Sequence, residues 1–193
     1  MKKLLSILAI LLVFCATSFA QAPSSPIKLY AQGGLTMPLS PDGFKDNVKS
    51  GYHFGAGVGF TLIPKVQGVA KAEYHMFGSD APDSMGLGDL KILLLGADAR
   101  VGLALPSAPI SPFLIGGAGV ANMSQDIDVG TVGAALSGTA SVDETKFYVN
   151  VGGGVDLKSG PALTLFIQGR YVRIFTDDEA YAMFPITVGV RFL

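Results

Sequence analysis

His53, His75 and Glu73 are the residues of this 193-residue chain whose types can do acid–base or metal chemistry at neutral pH. They fall on two consecutive segments, so a tight connection would bring them together. Such a histidine pair, close to Glu73, would make a metal or proton site, or supply the base of a lipid-modifying enzyme. No third ligand and no positioned serine nucleophile accompanies them, and the plainer reading is a pair of histidines in an enclosed polar network. Other reactive patterns are weaker. The glycine-rich segments lie inside extended runs and open no helix, which a phosphate-cradling loop requires. Asp126 and Asp128 have the spacing that begins a calcium loop, but position 137, where the bidentate glutamate would fall, is serine. No catalytic residue, cofactor or metal is therefore expected.

The first residues read as an address. Lys2 and Lys3 precede an apolar run from Leu4 to Phe14 broken only by Ser6, and Ser18-Phe19-Ala20 ends in small residues where a signal peptidase cuts. Residues 1–20 are read as a signal peptide and residues 21–193 as one domain beginning at Gln21. The sole cysteine, Cys15, lies in that leader behind Phe14, where lipid attachment would want a small residue. The mature chain thus has no thiol, which removes disulfides and cysteine-based sites and suits an envelope compartment. Losing Lys2 and Lys3 takes Lys+Arg from 14 to 12 against 15 acids, so the net charge moves from -1 to -3. Nothing in that balance points to nucleic acid. Charged residues make up 15% of the chain, below the roughly 25% of ordinary soluble domains, so something other than water covers much of the surface.

The elements that would position the polar residues alternate with period two. The first runs from Lys28 to Met37, with Lys28, Tyr30, Gln32, Gly34 and Thr36 on one side. In Tyr52 to Leu62 the face of Tyr52, Phe54, Ala56, Val58, Phe60 and Leu62 opposes His53 and three glycines. Ala70, Ala72, Tyr74 and Met76 then oppose Lys71, Glu73 and His75, and Leu93 to Leu103 alternates with Asp98 and Arg100. Phe113 to Ala121, Lys146 to Lys158, Ala162 to Val172 and Tyr181 to Leu193 complete eight strand-like segments. Their connections alternate long and short. About 8 to 20 residues follow the odd segments, around Ser40 to Ser50, Gly78 to Leu87, Asn122 to Ser141 and Ile174 to Ala180, against about 4 to 7 after the even ones, the asymmetry of outer loops and periplasmic turns.

Alternation does not say which face points out, because a soluble lipocalin-like barrel has the same period with its apolar face inside. Charge placement decides. A Lys or Arg on a lipid face near the midplane costs about 2–4 kcal/mol, and the apolar faces carry no charge, with Arg173 the marginal case near a rim. The expected fold is all-β, an eight-stranded antiparallel up-and-down transmembrane β-barrel. Its lumen would hold a polar network of Lys28, His53, Lys71, Glu73, His75, Asp98, Arg100, Asp156, Arg170 and Arg191, with glycines leaving room for the long side chains.

Tyr52-His-Phe-Gly-Ala-Gly-Val-Gly-Phe60, Pro112-Phe-Leu-Ile-Gly-Gly-Ala-Gly-Val120, Phe147-Tyr-Val-Asn-Val-Gly-Gly-Gly-Val155 and Phe184-Pro-Ile-Thr-Val-Gly-Val-Arg-Phe192 resemble the eight-stranded outer-membrane barrels of the OmpA-like and opacity-protein type. The resemblance implies insertion into the outer membrane of a Gram-negative bacterium by the barrel-assembly machinery. That machinery reads an alternating last strand, here Ile186, Val188, Val190 and Phe192. Twelve of the 15 acids lie in or beside the long connections. The leading functional expectation is a non-enzymatic envelope or surface-interaction role through acidic extracellular loops. Its partners would be outer-membrane lipid and lipopolysaccharide, and an extracellular ligand met by the loops. A narrow solute pore, a lipid-A-modifying enzyme and a soluble lipocalin-like barrel are the alternatives. N-terminal sequencing of the exported protein should begin at Gln21; a membrane-bound chain still starting at Met1 would show the leader to be an anchor.

Overall fold

The computed structural model describes residues 27–78, 87–103, 110–129, 138–158, 163–177 and 179–192, so the leader assigned to residues 1–20 lies outside the described residues. The strands are β1 (Ile27–Ser40), β2 (Gly51–Ile63), β3 (Val66–Phe77), β4 (Leu87–Gly102), β5 (Ile110–Val129), β6 (Gly138–Lys158), β7 (Leu163–Phe175) and β8 (Tyr181–Phe192). A short helix, α1 (Asp42–Asn47), lies between β1 and β2. Every strand pairs antiparallel with its neighbour in sequence, and β8 pairs with β1 through contacts such as Ala31 to Val190 and Gly33 to Val188. The sheet is therefore a closed barrel with no edge along its paired length.

Alternation is what closes it the right way round. On β6, Val149 and Val151 are 36% and 63% exposed, while Tyr148 and Asn150 beside them are 0% and 5% exposed. The same inversion holds on β2, where Tyr52, Phe54, Val58 and Phe60 are exposed and His53 is buried. A soluble barrel would show the opposite, and the lipocalin-like alternative is excluded. Outward aromatic pairs, Phe54 with Tyr74 at 5.7 Å and Phe147 with Phe175 at 6.0 Å, mark the band where such barrels carry an aromatic girdle. Among the described strand side chains, the outward charges are Lys91 and Arg173, both near the end that carries the odd connections. The Arg173 guanidinium lies 5.6 Å from the Phe175 ring, in keeping with a long side chain that leans along an aromatic toward water.

Three features differ from the sequence expectation. The connection read as Asn122 to Ser141 is mostly sheet, because β5 runs to Val129 and β6 begins at Gly138. Its run of polar residues, Ser124-Gln-Asp-Ile-Asp128 and Asp143-Glu-Thr145, hid the period, since a strand beyond the hydrocarbon needs no apolar side. The connection around Ser40 to Ser50 contains α1, whose Phe44 turns into the barrel. And the inner face is not polar throughout. Leu90, Ile92, Leu94, Met123, Val172, Ile174 and Met183 all point inward and form one apolar cluster with Phe44 and Phe77. In Leu93-Leu94-Leu95 both faces are leucine, so alternation alone could not show that an apolar residue faces the lumen.

Ala118, outward on β5 and paired with Ala97 and Val149, lies well inside the apolar band. Ala118→Arg should lower unfolding free energy by about 2–4 kcal/mol in lipid vesicles, with a much smaller effect for Asn122→Arg nearer the rim. Equal effects at the two positions in a urea titration would contradict a lipid-facing Ala118.

Candidate functional site

The lumen holds the polar residues, and it is built in layers. At the end of the short turns, Arg100 on β4 donates to Asp156 Oδ1 on β6, and Arg191 Nη1 on β8 reaches Asp156 Oδ2 at 3.0 Å. Arg191 Nη2 also donates to the Thr164 hydroxyl at 3.4 Å. The Arg100 guanidinium lies 3.4 Å from the Phe113 ring centre, 5.3 Å from that of Phe166 and 6.0 Å from that of Tyr30, so this ion sits in an aromatic collar, and Val69 and Ile115 belong to the same buried cluster. Tyr30 donates its hydroxyl proton to Gln67 at 2.8 Å.

The middle layer is a four-ion cluster. Lys71 Nζ lies 3.2 Å from Glu73 Oε2 and 2.6 Å from Asp98 Oδ2. Arg170, fully buried, donates to Glu73 Oε1 and approaches Asp98 Oδ2 at 4.0 Å. Gln32 also donates to Glu73, and Asn150 Nδ2 donates to Asp98 Oδ1 at 2.8 Å. Two cations thus meet two carboxylates, and amides occupy the remaining lone pairs, the condition under which buried ions are tolerable. Space for these long side chains comes from glycine. A Cβ on Gly55 would fall 2.8 Å from Glu73 Cγ, and one on Gly152 would fall 2.8 Å from Arg170 Cγ.

Beside the ions, the Thr36 hydroxyl is 2.9 Å from Nδ1 of both His53 and His75, and His53 Nε2 is 3.0 Å from the Thr187 hydroxyl. The rings stack at 4.8 Å. One hydroxyl proton cannot serve two acceptors, so one imidazole must carry its proton on Nδ1 and the other must accept there. His75 Nε2 is buried without a hydrogen-bond partner. An unmet lone pair costs less than an unmet N–H, which assigns the chain His75 Nδ1–H to Thr36, Thr36 to His53 Nδ1, and His53 Nε2–H to Thr187. Both rings are neutral in this arrangement.

Above the histidines the lumen is closed by the apolar cluster. Phe44 packs edge-on against Phe77 at 5.6 Å and Tyr181 at 5.2 Å, over Leu90, Ile92, Leu94, Met123, Ile174 and Met183. Each such side chain removed from water contributes about 1.5–3 kcal/mol, and each edge-to-face pair about 0.5–1.5 kcal/mol more.

All ten residues assigned to a lumen network point inward, with Lys28 half-buried at the turn end and the rest buried. They do not form one network. His53 and His75 join Thr36 and Thr187 rather than Glu73, whose oxygens engage Arg170, Lys71 and Gln32. Sequence reasoning misses Thr187, Asn150 and Gln168 as partners; each sits at the inward period of its strand, and that position is the available signal. Ile186, Val188, Val190 and Phe192 alternate with buried Thr187 and Arg191 and face outward. Among the described residues no group of three His, Cys, Asp or Glu is arranged to hold a metal.

A closed eight-stranded sheet with its apolar face outside and its ions enclosed is a transmembrane β-barrel. The chain belongs to the outer membrane protein beta-barrel domain family, whose sequence profile matches residues 6–192. In this architecture the short turns and both ends face the periplasm and the longer loops face outside. Solved structures share the fold. Neisserial surface protein A is 18% identical, with TM-score 0.63 over 89% of this chain and 99% of that one. A major outer membrane protein from Thermus thermophilus is 10% identical, with TM-score 0.58 over 87% and 99%. Ail, the attachment invasion locus protein of Yersinia pestis, is 16% identical, with TM-score 0.52 over 88% and 100%. No curated protein sequence matches the chain.

Glu73→Ala leaves Arg170 enclosed with only Asp98 at 4.0 Å, and should cost about 3–5 kcal/mol of stability. Lys65→Ala in the β2–β3 turn should stay within about 0.5 kcal/mol. A thermal melt in which the two variants match would show that the ion cluster does not hold the lumen together.

Proposed function

We propose that this protein is a non-conducting, non-enzymatic outer-membrane barrel that acts by contact at its extracellular face, in envelope integrity or surface interaction. The apolar stopper carries the reading: Phe44, Phe77 and the aliphatic side chains beneath them fill the outer end of a lumen already crossed by pinned ion pairs. An eight-stranded barrel is just wide enough for side chains to fill, and two consecutive filled layers weigh against a solute path. The bonds from His53 and His75 to Thr36 and Thr187 support a structural part for both rings, not that of a catalytic base.

The outer face is strongly charged. Twelve acids lie in or beside its connections, against five cations, Lys45, Lys49, Lys91, Lys146 and Arg173, a net of -7. Such a field favours basic partners and divalent cations bridging lipopolysaccharide, and its reach shrinks with salt. Delivery would follow signal-peptide cleavage after Ala20, with the barrel-assembly machinery engaging the outward row Ile186, Val188, Val190 and Phe192.

Purified protein in planar bilayers should be electrically silent, and long-lived unitary conductance steps would overturn the non-conducting reading. For the contact role, an oligolysine probe should bind nanodisc-embedded protein in a salt-sensitive way. Converting Asp143, Glu144, Asp177, Asp178 and Glu179 to their amides should weaken that binding; unchanged binding would remove the loops from the account.

A further inference from the structure

We propose that the periplasmic mouth of the lumen is a binding site for a phosphate-type oxyanion, held by Arg191 and Lys28 with help from the Thr164 hydroxyl. Charge is unevenly matched along the lumen. The middle cluster is balanced, Lys71 and Arg170 against Glu73 and Asp98. The mouth is not: among the described residues Lys28, Arg100 and Arg191 face inward there against Asp156 alone, three cations to one carboxylate. Excess positive charge in a narrow, partly dewatered barrel end is costly unless an anion meets it.

Asp156 is bonded to two of the three, one oxygen to Arg100 and the other to Arg191. Arg100 is also seated on the Phe113 ring. Arg191 is 7% exposed, and its Nε is enclosed with no hydrogen-bond partner. Its Nη2 donates to Thr164, which leaves the Thr164 hydroxyl proton available to another acceptor. Register brings the third donor close. Arg191 is paired across the strands with Tyr30 on one side and Thr164 on the other, and Lys28 is one inward position beyond Tyr30 toward the mouth. That diagonal puts Cβ atoms about 7–8 Å apart, within reach of a lysine and an arginine sharing one ligand.

The set is therefore a guanidinium N–H, an ammonium and a hydroxyl on three adjacent strands, all donors, with an excess of two positive charges. Donors alone call for an acceptor ligand, and a two-charge excess matches a phosphate dianion or phosphomonoester better than a halide. Free phosphate and the headgroup of a lipid such as phosphatidic acid present the same chemistry at the periplasmic leaflet.

The test uses the folded full-length barrel in phosphate-free maltoside micelles. Calorimetric titration with inorganic phosphate is one arm, and titration with short-chain phosphatidic acid against short-chain phosphatidylcholine is the other. Saturable binding in either arm supports the site. Response to inorganic phosphate points to the soluble source, and response to phosphatidic acid alone points to the lipid headgroup. Lys28→Gln removes a half-buried group without touching the Asp156 pair, and should weaken binding by about tenfold or more. Arg191→Lys keeps the charge but loses the Nε donor, and should weaken it similarly. Binding that survives both substitutions lies elsewhere on the protein and overturns the proposal. Silence in both arms of a wild-type chain that melts as a folded barrel would mean that the excess charge is met within the chain itself, and would overturn it equally.

Discussion

Hydrocarbon cannot hydrate a peptide group or an ion, and the rest of this structure follows from that restriction. A sheet with an open edge would leave a row of amides facing acyl chains, so the strands must close, and β8 returns to pair with β1. A charge on the outer face has no solvent, so the charges turn inward, where glycines on the same inner face make room for them. Once inside they face a second difficulty, because the lumen of so narrow a barrel is nearly as dry as a protein core. The middle cluster meets it by strict pairing, with Glu73 and Asp98 each bonded to a cation and to an amide.

The interior is graded along its axis. Ions held among aromatics lie at the periplasmic end, a balanced ion cluster and a neutral histidine–threonine chain occupy the middle, and an apolar stopper closes the extracellular end. The grading gives the barrel a core of its own, unlike a channel whose walls are wetted throughout. That filled lumen is the observation on which the proposed surface role rests. Electrostatically the protein is polarised, acidic outside and basic toward the periplasm. A barrel with that polarity presents different chemistry to each aqueous compartment.

Much of the architecture was legible in the sequence because the lipid face tolerates so few residue types. On β2, β3 and β6 the alternation is clean, and the facing of Phe54, Glu73 and Val149 could be read residue by residue. The harder places share a physical cause: they are where one of the two faces stops being constrained. At Leu93-Leu94-Leu95 both faces are leucine, so the inward apolar layer left no trace in the period. Beyond Asn122 neither face meets hydrocarbon, so the tall β5–β6 hairpin looked like a loop. Phe44 in α1 could not be placed from sequence because its partners, Phe77 and Tyr181, are set by closure of the barrel and not by spacing along the chain. Which lumen residues would be drawn into the polar layer could be read from parity, but which would bond to which could not. That depends on how eight strands stagger around a common axis, and the histidines accordingly joined threonines rather than the nearby glutamate.

The inverted polarity is tested most directly by spin labels placed at consecutive positions 147 to 151 on β6, with collision rates measured for oxygen, which dissolves in lipid, and for a water-soluble nickel chelate. Labels at 147, 149 and 151 should be quenched by oxygen and shielded from nickel, while those at 148 and 150 should be shielded from both. Accessibility of 149 and 151 to nickel, or their burial from both quenchers with 148 and 150 open to water, would contradict the account at its root.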